Sequence, residues 1–373
     1  MRHKGCFMRL DHLLVQDFRN IRQVEIFPGE ELTVIAGDNG QGKTSLLESI
    51  FLLTGSKSFR GAKDKDLVND EAGRGTVRGK SLSGQRESNI DILIEKGLEG
   101  KKGRFAKVNG VDYGRASAIA GIFTAVVFEP GHLNLVKSGP DGRRRFLDAA
   151  LCQLYPNYIT ILRRFTRALI QKNALLRNYY RTPDADGILT AFDGELSSYG
   201  AEITRRRAEY LAKAGPAAER YYTELASGAE NLHINFCPST EPEQLGQLLA
   251  GARAADIRAG FSTAGPHRED FEVLVKEKSA RVFGSQGQQR SAVLALKLAE
   301  AEVARVVTGE HPVLLLDDVL SELDESRQAY LLERMNGMQS FVTCCDASAF
   351  GKTRGHVLQV QNGAMLAEKI QAG

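Results

Sequence analysis

The chain has 373 residues, 42% of them hydrophobic and 25% charged, with a formal net charge of +3 and five cysteines. These are ordinary globular values for a chain long enough to hold two or three domains. No apolar run reaches the length of a membrane span. The basic start at residues 1–7 lacks the apolar segment of a signal peptide. An odd number of cysteines in so long a chain points to reduced thiols and a cytoplasmic home.

Residues 8–36 read as strands. Leu10, Leu13 and Val15 lead to Phe18-Arg19-Asn20, then Val24, Ile26 and a Pro28-Gly29 turn. The pattern begins just after Met8, which makes Met8 an alternative start to Met1. The last of these strands, Leu32-Thr33-Val34-Ile35-Ala36, is short, apolar and β-branched. It runs into Gly37-Asp38-Asn39-Gly40-Gln41-Gly42-Lys43-Thr44, which fits G-x-x-x-x-G-K-[ST] without mismatch, and Ser45 to Phe51 then starts a helix. Strand, glycine loop and helix is the context that a phosphate-binding loop requires. Glycines let successive N–H groups turn into one concavity, and the helix N-terminus adds partial positive charge. All eight residues are therefore expected at a nucleotide: Lys43 reaching the β- and γ-phosphates, the Thr44 hydroxyl ligating Mg²⁺.

Residues 56–115 alternate short apolar runs with glycine-rich charged turns, and Asn109-Gly110 is a strong hairpin signal. This predicts an antiparallel meander. Residues 122–128 read as one more buried strand. From 131 to 181 there are ten Lys or Arg against two Asp, a local basic block in a nearly neutral chain. After Gly139-Pro140 the pattern turns helical. Tyr158, Leu162, Phe165, Leu169 and Leu176 form one stripe; Phe192, Leu196, Tyr199, Ile203 and Tyr210 form a second. Two stripes around a break at 182–187 predict an antiparallel helical hairpin, with about 25 residues per helix and an arm of roughly 37 Å. A strand at 232–236 and a helix at 243–254 follow.

The C-terminal third narrows the class of nucleotide site. Ser285-Gln286-Gly287-Gln288 stands directly before a helix, a second anion cradle. Val313-Leu314-Leu315-Leu316 ends in Asp317-Asp318, a Walker B strand. Asp317 is expected to hold the Mg²⁺ shell, and Asp318 to orient or deprotonate the attacking water. Ser321-Glu322-Leu323-Asp324 follows. A strand over 339–343 then ends at Thr343, at the place of a γ-phosphate sensor. Cys344 and Cys345 lie in this apolar run and are read as buried strand residues.

Ser285, Gln286 and Gly287 resemble the signature loop of ATP-binding-cassette ATPases, and 321–324 is similar to their D-loop. In that superfamily the signature caps the nucleotide held by a partner subunit. The 243 positions between Lys43 and Gln286 exceed the spacing of transporter cassettes, which suits the chromosome-maintenance and DNA-repair branch. Within it the chain resembles the RecF family over residues 8–373. The resemblance rests on Phe18-Arg19-Asn20, the glycine loop, Lys57-Ser58-Phe59-Arg60, Leu135-Val136-Lys137 with Arg143 to Asp148, Gly265-Pro266-His267-Arg268-Glu269-Asp270, and Leu315 to Asp324. It implies an α/β cassette-type ATPase head, a mixed sheet with an antiparallel meander, carrying an inserted helical hairpin. The expected divisions are 1–139 and 256–373 for the two ATPase lobes and 140–255 for the arm.

The resemblance also implies a slow ATPase that dimerises on ATP, binds DNA at single-strand gaps, and acts with RecR and RecO to load RecA in repair, replication restart and the SOS response. Glu129-Pro130-Gly131-His132 departs from the family pattern, leaving Glu129 and His132 as candidates for the Q-loop role. DNA-backbone candidates are Arg60, Lys63 and Lys65 after the first helix, and Arg143, Arg144, Arg145, Arg163, Arg164 and Arg167 in the basic block. His267 and Arg268 are expected at a dimer or DNA face. Backbone contacts of this kind position without reading sequence, so binding should be sequence-independent and salt-sensitive. Alternative readings are an ATPase-linked nuclease or another chromosome-maintenance-type ATPase. A nuclease would need a second acid cluster, and Asp64-Lys65-Asp66 and Asp184-Ala185-Asp186 are too sparse.

Overall fold

A computed structural model describes residues 7–97, 102–346 and 355–371. The chain divides into two compact units, one of residues 1–133 with 297–373 and one of residues 134–296.

The first unit holds two six-stranded sheets. One is built from β1 (Met8–Phe18), β2 (Ile21–Ile26) and the hairpins β4 (Arg74–Ser83), β5 (Arg86–Lys96), β6 (Lys102–Val108) and β7 (Val111–Arg115), all antiparallel in the order β2-β1-β4-β5-β6-β7. The meander expected from the glycine-rich stretch is this sheet. Asn109 and Gly110 take φ of 50° and 82° at the β6–β7 turn, the left-handed pair that a two-residue hairpin needs. The other sheet has the order β15-β14-β3-β13-β12-β8. Its five central and edge strands β14 (Gly355–Gln361), β3 (Leu32–Ala36), β13 (Ser340–Cys344), β12 (Val313–Leu316) and β8 (Ala125–Phe128) run parallel, and β15 (Ala364–Gln371) closes it antiparallel to β14. β3, β12 and β8 are buried along their whole lengths, which is why they read as continuous apolar runs. Helix α1 (Lys43–Leu52) lies between the sheets' cores, its Leu46, Leu47 and Ile50 sharing one cluster with Leu13, Val15, Val77, Leu315 and Phe341.

The second unit carries α2 (Pro140–Leu154), α3 (Tyr158–Arg177), α4 (Ala185–Leu225), α5 (Leu245–Ala259), the short turn α6 (Ala280–Phe283), and the sheet β11-β10-β9, made of β9 (Leu232–Cys237), β10 (Asp270–Val275) and β11 (Lys278–Ser279). Helix α7 (Gln286–Thr308) begins in this unit and ends in the first; α8 (Glu325–Met335) belongs to the first. The hairpin is antiparallel: Arg164 meets Tyr199 and, nearer the turn, Lys172 meets Asp193.

Two expectations need revision. The helices are unequal, 20 and 41 residues, because α4 continues through Pro216 to Leu225. Pro216 faces solvent, where water can serve the carbonyl it leaves unpaired, while Ala214, Ala217 and Ala218 keep the next turn packed. The compact units also divide at 133/134 and 296/297 instead of 139/140 and 255/256. β10 pairs with β9 from Asp270↔Cys237 to Val275↔Leu232, which ties residues 256–296 to the helical unit.

Candidate nucleotide site

The phosphate loop leaves β3 and enters α1 through glycines that no other residue could replace without strain. Gly37, Gly40 and Gly42 have φ of 154°, 80° and 109°. A Cβ on Gly37 would also lie 2.3 Å from the Val360 carbonyl oxygen, whereas Gly40 faces open space. Lys43 is buried, and its Nζ donates to the Gly37 and Asp38 carbonyls at 2.6 and 3.1 Å.

One strand, β13, separates β3 from β12, and this brings the two halves of the site together. The Thr44 hydroxyl donates to Asp317 Oδ1 at 2.8 Å, across 273 residues of sequence. Burial raises the Asp317 pKa, with Asp318 adding to it, although Thr44 and Thr343 pull the other way. Asp318 takes the left-handed conformation, φ 49°, and its N–H donates to Thr343 Oγ1 at 2.8 Å. Strained backbone of this kind persists where surrounding contacts hold it, here at the head of two strands. The Thr343 hydroxyl lies 3.1 Å from Asp317 Oδ1 and 3.3 Å from Asp318 Oδ1, and it can donate to one at a time. A hydroxyl and a carboxylate already in contact beside a glycine loop at a helix N-terminus fit a magnesium–triphosphate group: Thr44 and Asp317 would hold the cation, and residues 37–43 the phosphates.

Residues beyond the motif brace this loop. Arg19 forms a two-pronged pair with Glu48, Nε and Nη2 donating at 2.9 and 3.1 Å, and the Ser58 hydroxyl donates to the same carboxylate. Glu48 is fully buried. Asn20 accepts from the Ser45 hydroxyl at 2.9 Å and donates to the Gly40 carbonyl at 3.3 Å. The Phe18-Arg19-Asn20 and Lys57-to-Arg60 segments thus sit against the nucleotide loop, a role that their sequence spacing does not disclose. Gln41 takes the N–H groups of Asn362 and Gly363, at 2.5 Å on its side chain and 2.9 Å on its carbonyl. The expectation of buried Cys344 and Cys345 is corrected: Cys344 is half-buried and Cys345 exposed, its Sγ 3.8 Å from Lys43 Nζ and 3.4 Å from Asn39 Oδ1. Cys344 is the last residue of β13, and Cys345, just beyond it, turns its side chain toward the glycine loop.

Glu129 follows directly on β8, whose Phe128 carbonyl accepts the Asp317 N–H at 2.8 Å. Burial, then the Asp317 charge, pushes its carboxyl up to about 7. His132 lies 3.4 Å from it, but burial and the Lys297 charge lower its imidazole to about 3, so the contact is not an ion pair at neutral pH. Of the two Q-loop candidates, Glu129 is the one beside the Walker B acid. Among the described residues no cluster of three or more His, Cys, Asp or Glu could hold a further metal.

Ser285 and Gln288 form a reciprocal cap at the start of α7. Ser285 N–H donates to Gln288 Oε1 at 2.8 Å and Gln288 N–H to Ser285 Oγ at 3.2 Å. Gln288 is held in turn by Glu230, both of whose oxygens accept from its amide at 3.0 Å. Ser285 and Gln286 are exposed. The loop is therefore tied at its helix end and leaves Ser285 and Gln286 facing outward.

The profile of the RecF/RecN/SMC N-terminal domain matches residues 9–365. The DNA replication and repair protein RecF of Agathobacter rectalis is 36% identical over 356 residues, covering 95% of this chain and 96% of its own. That of Clostridium acetobutylicum is 34% identical over 364 residues, covering 95% and 99%. The chain belongs to the RecF family. A structure of the recombination mediator RecF with ATP, from the RecFOR pathway, superposes with a TM-score of 0.89 at 33% identity over the full length of both chains. The Smc head domain of Pyrococcus furiosus, at 15% identity and a TM-score of 0.55, shares the fold. The ATPase-head architecture with a helical insertion is thereby established.

For a RecF-family chain, the basic candidates fall into three groups. Arg60, Lys63 and Lys65 are exposed, and Arg60 is near enough to Asp317 and Glu129 for its charge to act on both. Arg143 and Arg144 do not face solvent as expected. Arg143 is 4% exposed, its Nε and Nη2 donate to Asp270 at 2.7 and 2.6 Å, and its Nη1 donates to the Val136 and Ser138 carbonyls. Arg144 donates to the Glu269 carbonyl and pairs with Asp141. Arg207 bridges Asp148 and Glu269, each at about 3 Å. The Arg143–Asp148 and Gly265–Asp270 segments are thus each other's partners, a structural clasp. His267 is half-buried and Arg268 exposed, and both donate to the Ser262 carbonyl, at 3.0 and 3.1 Å. Arg164 stacks over Tyr199 and donates to its hydroxyl. Arg145, Arg163 and Arg167 complete the set, and the last two are exposed on the hairpin.

Proposed function

We propose that this chain is an ATP-switched DNA clamp, a recombination mediator in which two copies close on ATP. The observation that carries it is the division of labour between two cradles. The Thr44 hydroxyl meets Asp317 beside the glycine loop, a place suited to phosphate and cation, while Ser285 and Gln286 stand exposed at the start of α7, beside half-buried Gly287, with no use in a buried core. The relatives' shared description as DNA replication and repair proteins, and the fold shared with RecF solved with ATP, support ATP as the nucleotide and DNA as the partner.

Magnesium-ATP, when bound, supplies the phosphoanhydride to be cleaved and the charge neutralisation that cleavage needs. With that group bound, Lys43 would exchange its loop carbonyls for phosphate oxygens, and Thr44 and Asp317 would hold the cation. Asp318 accepts a proton from water, positioned by its N–H bond to Thr343. A carboxylate this short reaches less far than glutamate, which suits slow turnover. Hydrolysis resets the clamp and performs no chemistry on DNA. Arg60, Lys63 and the arm arginines offer phosphate contacts that read no sequence. Gap binding, help in RecA loading with RecR and RecO, and a cytoplasmic location belong to the same reading. No described helix is long and apolar enough to cross a membrane.

Light scattering after size-exclusion chromatography tests it. With ATP and Mg²⁺ at micromolar protein the mass doubles, and Lys43→Arg, which keeps charge but changes head-group geometry, still binds ATP with impaired hydrolysis. A chain that stays monomeric with saturating ATP contradicts the clamp. Cleavage of gapped DNA by the purified protein would favour the nuclease reading.

A further inference from the structure

Outside the nucleotide site, the hairpin carries a basic outer face. On α3, positions 163, 167, 170, 174 and 177 step by 4, 3, 4 and 3, so they share one face, and all five are exposed. Three of them are arginines, and Arg181 follows in the turn. From Tyr158 to Arg181 there is no acidic residue. Arg163, Arg167, Arg177 and Arg181 form no side-chain ion pair or hydrogen bond among the described residues, whereas Arg143, Arg205, Arg206, Arg207 and Arg253 in the same unit are all paired. The exposed acids nearest this face are Asp184, in the turn, and Asp186 and Glu195 on α4.

The face is not purely basic. Ile170 is 62% exposed, and Tyr180, at the tip, is 88% exposed. Tyr180 is braced: its ring packs edge-on to Tyr179 at 5.2 Å, and the Tyr179 hydroxyl donates to Asp186 at 3.1 Å. A free aromatic face at the end of an unpaired arginine row combines backbone neutralisation with a stacking platform. A duplex, whose bases are already stacked, would leave Tyr180 and Ile170 bare.

We infer that this face of the arm, Arg163-Arg167-Arg177-Arg181 with Tyr180, is a track for single-stranded DNA. The inference rests on the DNA-binding reading above and adds which strand form the arm holds. Arg163 and Arg177 are about 21 Å apart along the helix, so the track holds a short segment.

Fluorescence anisotropy of the full-length protein with ATP and Mg²⁺, on labelled dT20 and on a 20-base-pair duplex, across a salt series, tests it. Tyr180→Ala is expected to weaken dT20 binding by roughly 5- to 160-fold, the loss of one stacked base, with duplex binding changed less than twofold. Changing all four arginines to Gln is expected to lower the log–log salt slope for dT20 by about 3. All five side chains are exposed, so melting temperatures should match the parent. If the parent binds DNA and these variants bind dT20 as the parent does, the arm assignment is wrong and the clamp reading stands. Equal losses on dT20 and duplex would overturn the single-strand assignment. A parent that binds neither oligonucleotide would overturn both readings.

Discussion

Arg19→Met should destabilise the first unit and loosen its nucleotide loop together. Glu48 has no exposed surface and 21% of the Arg19 side chain reaches solvent. Removing one partner of a buried pair strands the other charge, at a cost of about 3–5 kcal/mol. Ser58 still donates to Glu48, and Arg19 is not fully buried, so the lower end, about 3 kcal/mol, is the expected loss. For a unit of this size that is a fall of about 6–12 °C in melting temperature. Because Glu48 lies one turn into the helix that begins at Lys43, nucleotide affinity should fall as well. The assay is differential scanning calorimetry with and without ATP, on the parent, on Arg19→Met, and on Arg19→Met with Glu48→Gln. The double variant no longer buries an unpaired charge and should recover at least half the loss. A single variant melting within about 2 °C of the parent, or a double variant no better than the single, would refute the reasoning.

Acid should destabilise the first unit through His132. Its imidazole is held near 3 by burial and Lys297, against 6.5 when free, so the unfolded chain takes the proton first as pH falls below 6.5. Stability is therefore full above 6.5 and drops by up to about 2 kcal/mol by pH 5.0, less to the extent that a quarter of the side chain reaches water. Urea midpoints at pH 7.5 and 5.0 should show a smaller difference for His132→Gln than for the parent; parallel profiles would remove His132 from the account. In the second unit, Lys172 is fully buried between Asp193 and Asp256, at 2.8 and 2.7 Å. Lys172→Met should cost about 3–5 kcal/mol and expose the hairpin turn to trypsin at Arg177 and Arg181. Unchanged melting and unchanged proteolysis would show that the triad contributes nothing.

The nucleotide site was legible because its signals are local. A glycine loop, a helix start and a strand ending in acids each declare themselves within a dozen residues, and the sheet order then joins Thr44 to Asp317. The misplaced basic residues were illegible for the opposite reason. Arg143 looks like its neighbours in a basic run, and its partner Asp270 lies 127 positions away. A count of charges cannot separate an arginine spent on the fold from one such as Arg167 that faces water. The length of α4 was hidden by Pro216, a breaker in a buried turn but tolerable on a solvent face. The brace between Arg19 and Glu48 gave no signal beyond an arginine before a turn, since Glu48 reads as one more acid in a helix.

The central claim is that each nucleotide is enclosed by the phosphate loop of one copy and the signature of another. Mixing two crippled variants tests it most directly. Lys43→Ala removes one half of the cage and Ser285→Arg blocks the other. Alone, neither should pair with ATP and Mg²⁺. Mixed, the Ser285→Arg copy can still hold ATP under the intact Ser285 of its Lys43→Ala partner, so a labelled mixture should show ATP-dependent heterodimers by energy transfer. Homodimers of Ser285→Arg with ATP, or a mixture as inert as its parts, would contradict the account.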